Sequence, residues 1–254
     1  MSSGLTGRSV IVTGAGAGVG RGVALACAKA GAHVMVATRH ENGRDVVNEI
    51  EARGGRGAWV ECDVTDRQAV RNAVDESVAR TGSLHALVHN ATSNRSSEPH
   101  RLETVDADLW EQHAAVSLRG AYHCAREAFD ALRATSGTLV LMTSPAGIEG
   151  SPGLPLYGTV KGALRGFTKS LAREWAPLGM TVNIVSPLAM SPAMVNAIEQ
   201  DPAMEERLAR KVPMGRIGDP VDDVGPVVAF LCGPDAHYVT GQTLAVDGGH
   251  FMNL

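Results

Sequence analysis

This sequence of 254 residues predicts the α/β class: a doubly wound, mainly parallel, seven-stranded sheet with helices on both faces. Three observations predict it. Strand-like and helix-like patterns alternate from end to end, as βαβ units do. The first strand candidate runs through a glycine turn straight into a helix pattern. No low-complexity linker divides the chain, so residues 1–254 read as one domain.

Strands are expected near 8–13, 33–38, 57–62, 84–90, 137–143, 180–186 and 243–246, with helices between them. Val10, Ile11 and Val12 form an apolar β-branched run that suits a strand buried on both faces. Thr13 and Gly14 end it, and Gly16, Gly18 and Gly20 follow at alternate positions. Val19, Val23, Cys27 and Ala30 then mark one face of a helix. Strand, glycine turn and helix together form a place for a dinucleotide pyrophosphate. Glycine lets backbone approach a phosphate without a Cβ between them. The helix start supplies free N–H groups and about half a positive charge. Gly14, Gly16, Gly18, Val19 and Gly20 are the candidate contacts.

The second strand, His33 to Thr38, runs into Arg39 and His40. An acid at the end of this strand would bond the ribose 2′-OH of NAD, whereas a nearby Arg accepts the 2′-phosphate of NADP. Thr38 stands in the acid's place and Arg39 follows it. A hydroxyl and a guanidinium hold a phosphate that a carboxylate would repel. NADP(H) is therefore favoured over NAD(H).

The fifth strand ends at Thr143-Ser144, and thirteen residues on come Tyr157 and, four further, Lys161. Spacing of four puts Tyr157 and Lys161 on one helix face. A free phenol titrates near pH 10, too high for ready proton exchange at neutrality. A neighbouring ammonium favours the phenolate and is expected to lower that pKa. Lys161 can also bond the nicotinamide ribose hydroxyls. Ser144, at a strand's carboxyl end, can donate to a substrate oxygen as charge develops there.

The start TGxxxGxG at Thr13–Gly20, with Ser144, Tyr157 and Lys161 at Ser-x12-Tyr-x3-Lys, resembles the short-chain dehydrogenase/reductase family over nearly the whole chain. The resemblance implies a Rossmann-type fold and hydride transfer between the B face of a nicotinamide and a carbonyl carbon, with Tyr157 trading the proton on oxygen. It implies further roles. Asp63 and Val64 would hold the adenine amino group; the plainer alternative is that Asp63 or Thr65 caps the next helix. Asn90 and Ala91 match the family's Asn-Ala-Gly, but Thr92 replaces the Gly. Ser117 stands where relatives have an Asn that holds a helix irregularity and a proton-relay water; its hydroxyl is shorter, with fewer donors. Leu188 replaces a Gly after Pro187, and Pro187 and Ser191 would line the nicotinamide. Ala17 lacks the basic side chain that many NADP-preferring relatives carry in the glycine loop. An enoyl reductase fits less well, because that branch separates Tyr and Lys by six residues.

The helix from Pro155 to Ala176 carries small and apolar residues, among them Ala163, Gly166, Phe167, Leu171 and Ala172. They cover too much of its circumference for one buried face. In the resembled family this helix packs across a two-fold, so a homo-oligomer, dimer or tetramer, is expected. Met190, Met194, Ile198, Met204, Leu208 and Met214 suit a mobile lid near 189–215 over an apolar substrate, or else a plain amphipathic helix pair. Gly225-Pro226 predicts a kink or a late start in the helix from Pro220 to Cys232. Ser93 to His100 reads as an exposed loop at the site's rim.

A net charge of −4 argues against general nucleic-acid or anionic-membrane binding. No apolar run is long enough to span a bilayer, and the first residues show no signal pattern; a cytoplasmic protein is expected. The four cysteines form no CxxC pair and read as reduced core residues. The nine histidines show no ligand spacing, so no metal site is expected. The leading function is an oxidoreductase acting on a small-molecule carbonyl/alcohol pair, such as a ketone or 3-oxoacyl thioester. The alternative is a dinucleotide-binding protein of the same fold with little turnover.

Overall fold

In the computed structural model, residues 4–96 and 98–252 are described. The first residues of the sequence and Ser97, within the Ser93–His100 stretch, lie outside them. Seven strands form one sheet: β1 (Ser9–Thr13), β2 (His33–Thr38), β3 (Arg56–Glu61), β4 (Ala86–His89), β5 (Thr138–Met142), β6 (Thr181–Pro187) and β7 (Thr243–Val246). Their order is β3-β2-β1-β4-β5-β6-β7, and every neighbouring pair is parallel. Sequence patterning places each within about two residues, the usual error where helix and strand ends fray.

The helices are α1 (Gly18–Lys29), α2 (Asn42–Ala52), α3 (Arg67–Thr81), α4 (Ala107–His113), α5 (Gly120–Ala134), α6 (Pro155–Trp175), α7 (Pro192–Gln200), α8 (Ala203–Ala209) and α9 (Gly225–Leu231). Alternation along each strand splits the core in two. Val10, Val12, Val34, Val36 and Val88 face α1, α2 and α9. Ile11, Met35, Leu87, Leu139 and Leu141 face α3, α5 and α6. The Val-Ile-Val run is thus buried on both faces, as a parallel strand requires.

Two helices are irregular. A π turn, Ala114–Arg119, joins α4 to α5. A second, Pro220–Val224, precedes α9, which starts at Gly225, so the predicted interruption is a late α-helical start. The excursion that carries α7 and α8 is closed at its base. Ala189 bridges Gly218, with Met190 N–H bonded to the Gly218 carbonyl at 2.9 Å and Gly218 N–H to the Leu188 carbonyl at 3.2 Å.

Strand order reverses between β1 and β4. The carboxyl ends of those two strands open the crevice where such sheets bind ligands.

Candidate active site at the carboxyl ends of the strands

The glycine turn is shaped for close approach. Gly14 has φ +63°, and a Cβ there would stand 2.8 Å from the Ala91 Cα. The turn is braced from β4: Asn90 Nδ2 donates to the Gly14 carbonyl at 3.0 Å. α1 begins at Gly18, and its N-cap, Ala17, makes no side-chain cap bond. Among the described residues no side chain caps this first turn, which leaves the N–H groups of Gly18, Val19 and Gly20 to a ligand. The chemistry suits a pyrophosphate anion, so the residues present fit a dinucleotide. Asn42, the first residue of α2, lies against Gly16, and Pro192 lies against Gly18.

Thr38 turns inward. Its hydroxyl is buried, donates to the His40 carbonyl at 2.6 Å and accepts from Trp59 Nε1 at 2.7 Å. A hydroxyl has one proton, and here it is spent inside the protein rather than offered to a phosphate. The cations are elsewhere. Arg39 is exposed, with its Nε donating to His40 Nε2 at 3.2 Å. Arg44 stacks 4.0 Å above the Trp59 ring. Neither Trp59 nor Arg44 stood out in the sequence, because the fold brings them to the end of β2 from β3 and α2.

Asp63 does not cap the next helix, and neither does Thr65. Asp66 does, accepting from Gln68 N–H at 2.8 Å. One Asp63 oxygen, Oδ1, takes bonds from Thr65 N–H and Oγ1 at 2.9 and 2.7 Å. The Val64 carbonyl accepts from His123 Nδ1 at 2.9 Å.

Ser144, Tyr157 and Lys161 converge at the end of β5. Ser144 caps the short turn Pro145–Gly147. Gly147 then packs directly on α6, where a Cβ would stand 2.6 Å from the Lys161 carbonyl carbon. Thr143 Oγ1 bonds the Lys161 carbonyl at 2.8 Å, and Lys161 Nζ donates to the Met142 carbonyl at 3.0 Å. The Ser144 hydroxyl is hydrogen-bonded to Tyr157. Lys161 Nζ stands 5.6 Å from the Tyr157 ring centre.

The electrostatics depart from expectation. Burial pushes the Tyr157 phenol up from its ordinary value, and only the Ser144 bond opposes this. Lys161 does not supply the expected depression in this geometry. The lysine takes the effect itself: burial pushes its ammonium down to about 8.

Ser117 is fully buried in the π turn, and its Oγ meets Thr92 Oγ1 at 3.4 Å. Two of the departures from the family pattern, Thr92 and Ser117, thus touch each other. Ser191 Oγ accepts from Met194 N–H at 3.2 Å, at the start of α7. Pro187 ends β6 opposite Val246. Ser93, expected in an exposed loop, is buried and bonds Arg95 N–H. His100 N–H ties this loop to the Gly153 carbonyl at 2.6 Å. In the lid segment Met194, Ile198, Met204 and Leu208 are half-buried, while Met214 is exposed.

Comparison with known proteins is consistent along the chain. A family model described as enoyl-(acyl carrier protein) reductase matches residues 14–250. The 3-oxoacyl-[acyl-carrier-protein] reductase of Staphylococcus aureus is 35% identical over 248 residues, covering 96% of this chain and 98% of that protein. A tropinone reductase homolog of Arabidopsis thaliana is 36% identical over 254 residues, covering 98% and 91%. Among solved structures, the 3-ketoacyl-(acyl-carrier-protein) reductase of Brucella melitensis, complexed with NADH, superposes with a TM-score of 0.88 at 29% identity, covering 97% and 99%. A structure from Beutenbergia cavernae with NADP bound at low occupancy gives a TM-score of 0.89 at 32% identity, covering 98% and 99%.

Thr38→Val keeps the shape but strips His40 and Trp59 of their partner. It is expected to cost about 1–3 kcal/mol of stability in urea denaturation. Unchanged stability with weakened dinucleotide binding would contradict the inward role.

Proposed function

The chain belongs to the short-chain dehydrogenase/reductase family, and from that premise we propose that it reduces the carbonyl of a ketone or 3-oxoacyl thioester with NADPH. It is an NAD(P)-dependent oxidoreductase acting on a carbonyl/alcohol pair. The observation that carries the reading is the convergence of Ser144, Tyr157 and Lys161 beside a glycine turn with free helix N–H groups.

Bound nicotinamide supplies the hydride. The protein's own groups do the rest. Gly14, Gly16, Gly18, Val19 and Gly20 hold the pyrophosphate, with Asn90 fixing the turn. Asp63 and Val64 hold the adenine; Asp63 Oδ2 carries no hydrogen bond among the described residues. Ala91, Pro187 and Ser191 line the cofactor's path. Ser144 donates to the substrate oxygen. Tyr157, kept protonated by burial, delivers the proton to that oxygen. A phenol held in its acid form suits reduction at neutral pH. Lys161 bonds the ribose hydroxyls and keeps a positive charge beneath the phenol. The gap of three residues between Tyr157 and Lys161 favours carbonyl over enoyl reduction. So does the likeness to the 3-oxoacyl-(acyl-carrier-protein) reductases of Staphylococcus and Brucella.

NADPH is preferred because Thr38, and not an acid, ends β2, with Arg39 next to it and Arg44, paired with Glu41, close by. The chain acts as one dinucleotide-binding and catalytic unit, with segment 189–215 as a lid. It works as a cytoplasmic homo-oligomer, a dimer or tetramer. Exposed Ala163 and Gly166 beside half-buried Phe167 on α6 support this, as does Trp110 on α4. No helix among the described residues is long and apolar enough to cross a membrane.

Tyr157→Phe is expected to lower kcat about 10²–10⁴-fold with NADPH affinity nearly unchanged. Unchanged turnover of 3-oxoacyl thioesters would remove Tyr157 from the chemistry. Arg39→Ala is expected to weaken NADPH about tenfold or more and NADH by less than about twofold, the loss of one charge-assisted phosphate bond. Equal weakening in fluorescence titration would remove the preference. Lys161 is an ammonium below its shifted pKa and neutral above it, so kcat for reduction should fall as pH rises through about 8. A profile flat to pH 10 would contradict the need for that charge.

A further inference from the structure

One buried titratable group near the site is unused by the chemistry above. His89 is the last residue of β4, 1% exposed, in register opposite Thr13 of β1 and Leu141 of β5. Its Nε2 lies 3.2 Å from the Ser117 carbonyl in the π turn. Its Nδ1 lies 3.2 Å from Thr13 Oγ1, with Cys124 Sγ at 3.6 Å.

The direction of each bond follows from donor counting. A carbonyl only accepts, so Nε2 carries the hydrogen. In a neutral imidazole Nδ1 is then an acceptor. Thr13 Oγ1 already accepts the N–H groups of Asn90 and Ala91, at 3.1 and 3.3 Å. Its single proton is free for His89 Nδ1. One polarised run therefore passes from the backbone just after β4 through Thr13 and His89 to Ser117. Asn90 extends it to the glycine turn through the Gly14 carbonyl. Burial pushes the imidazole down to about 3, and Lys161 adds to this, so the ring stays neutral. A neutral ring sets no second cation beside Lys161.

A π turn breaks the regular i to i−4 ladder and needs outside partners. Here the partners are His89 on the Ser117 carbonyl and Thr92 on the Ser117 hydroxyl. The turn packs against α6, which carries Tyr157 and Lys161.

Resting on the carbonyl-reductase reading, we propose that His89 is a positioning residue whose Nε2–H holds the Ser117 carbonyl and so fixes the π turn behind the Tyr157–Lys161 pair. It acts through Ser117 and exchanges no proton with substrate.

Two variants separate its two bonds. His89→Gln can place an amide N–H near Nε2 and keep the Ser117 bond. His89→Asn reaches only the Nδ1 side and loses it. The full chain is assayed with NADPH and a 3-oxoacyl thioester, beside thermal unfolding of each variant. His89→Asn should lose about tenfold in kcat with the NADPH KM within about twofold, and His89→Gln should stay within about threefold of wild type, as expected for one oriented bond. Equal losses in both variants, or losses that follow thermal stability alone, would overturn the proposal. So would wild-type kcat in His89→Asn. Nitrogen-15 NMR of labelled histidine, assigned by the loss of signal in His89→Gln, reads the ring without substrate. It should show Nε2–H and bare Nδ1 from about pH 6 to about pH 8. A Nδ1–H or doubly protonated ring would overturn the proposal. Wild-type protein that turns over no carbonyl would instead sink the functional reading, with the tautomer still deciding the His89 bond.

Discussion

A buried ammonium at the end of β5 is the constraint on which the rest depends. An alkylammonium leaves water at a large cost unless it is paired or sheds its proton. Among the described residues Lys161 Nζ has one hydrogen bond, to the Met142 carbonyl, and faces the Tyr157 ring. Its pKa falls to about 8 in consequence. The backbone around it is clasped from both sides. Thr143 bonds its carbonyl, and Gly147 lets the next turn lie directly on α6. That clasp carries Ser144 and Tyr157 into the same corner. The parallel sheet matters here because it delivers β5, the glycine turn and β4 to one edge with their carboxyl ends aligned.

The departures from the family pattern come in connected sets. Thr92 and Ser117 replace Gly and Asn, and their hydroxyls meet. At the other end of the crevice Thr38 replaces an acid but turns inward to Trp59, which in turn seats Arg44. Each change alters a neighbour's hydrogen bonding, so none is read safely alone.

Legibility from sequence followed the range of the physics involved. Strands, the glycine turn and the Tyr157–Lys161 spacing are set by periods of two and four and by short-range sterics, and they were found within a residue or two. Asp66 as the helix cap was missed by one position among three acceptable capping residues, Asp63, Thr65 and Asp66. The inward bond of Thr38 is not legible locally, because its partner, Trp59, lies on another strand. The Tyr157 shift had the wrong sign because burial, a property of the whole fold, outweighed the one charge that spacing revealed. His89 carried a faint signal, a polar residue ending an apolar strand, but its partners come from β1 and the π turn.

Proton delivery by Tyr157 as proposed needs a carbonyl carbon and the B face of a nicotinamide to meet above Ser144, Tyr157 and Lys161. The most direct measurement is reduction of a 3-oxoacyl thioester with NADPH deuterated at C4 on that face, with the alcohol read by mass spectrometry. That arrangement puts a deuterium on the new carbinol carbon, and none from cofactor labelled on the opposite face. Transfer from the opposite face, or a product without cofactor-derived label, would contradict it.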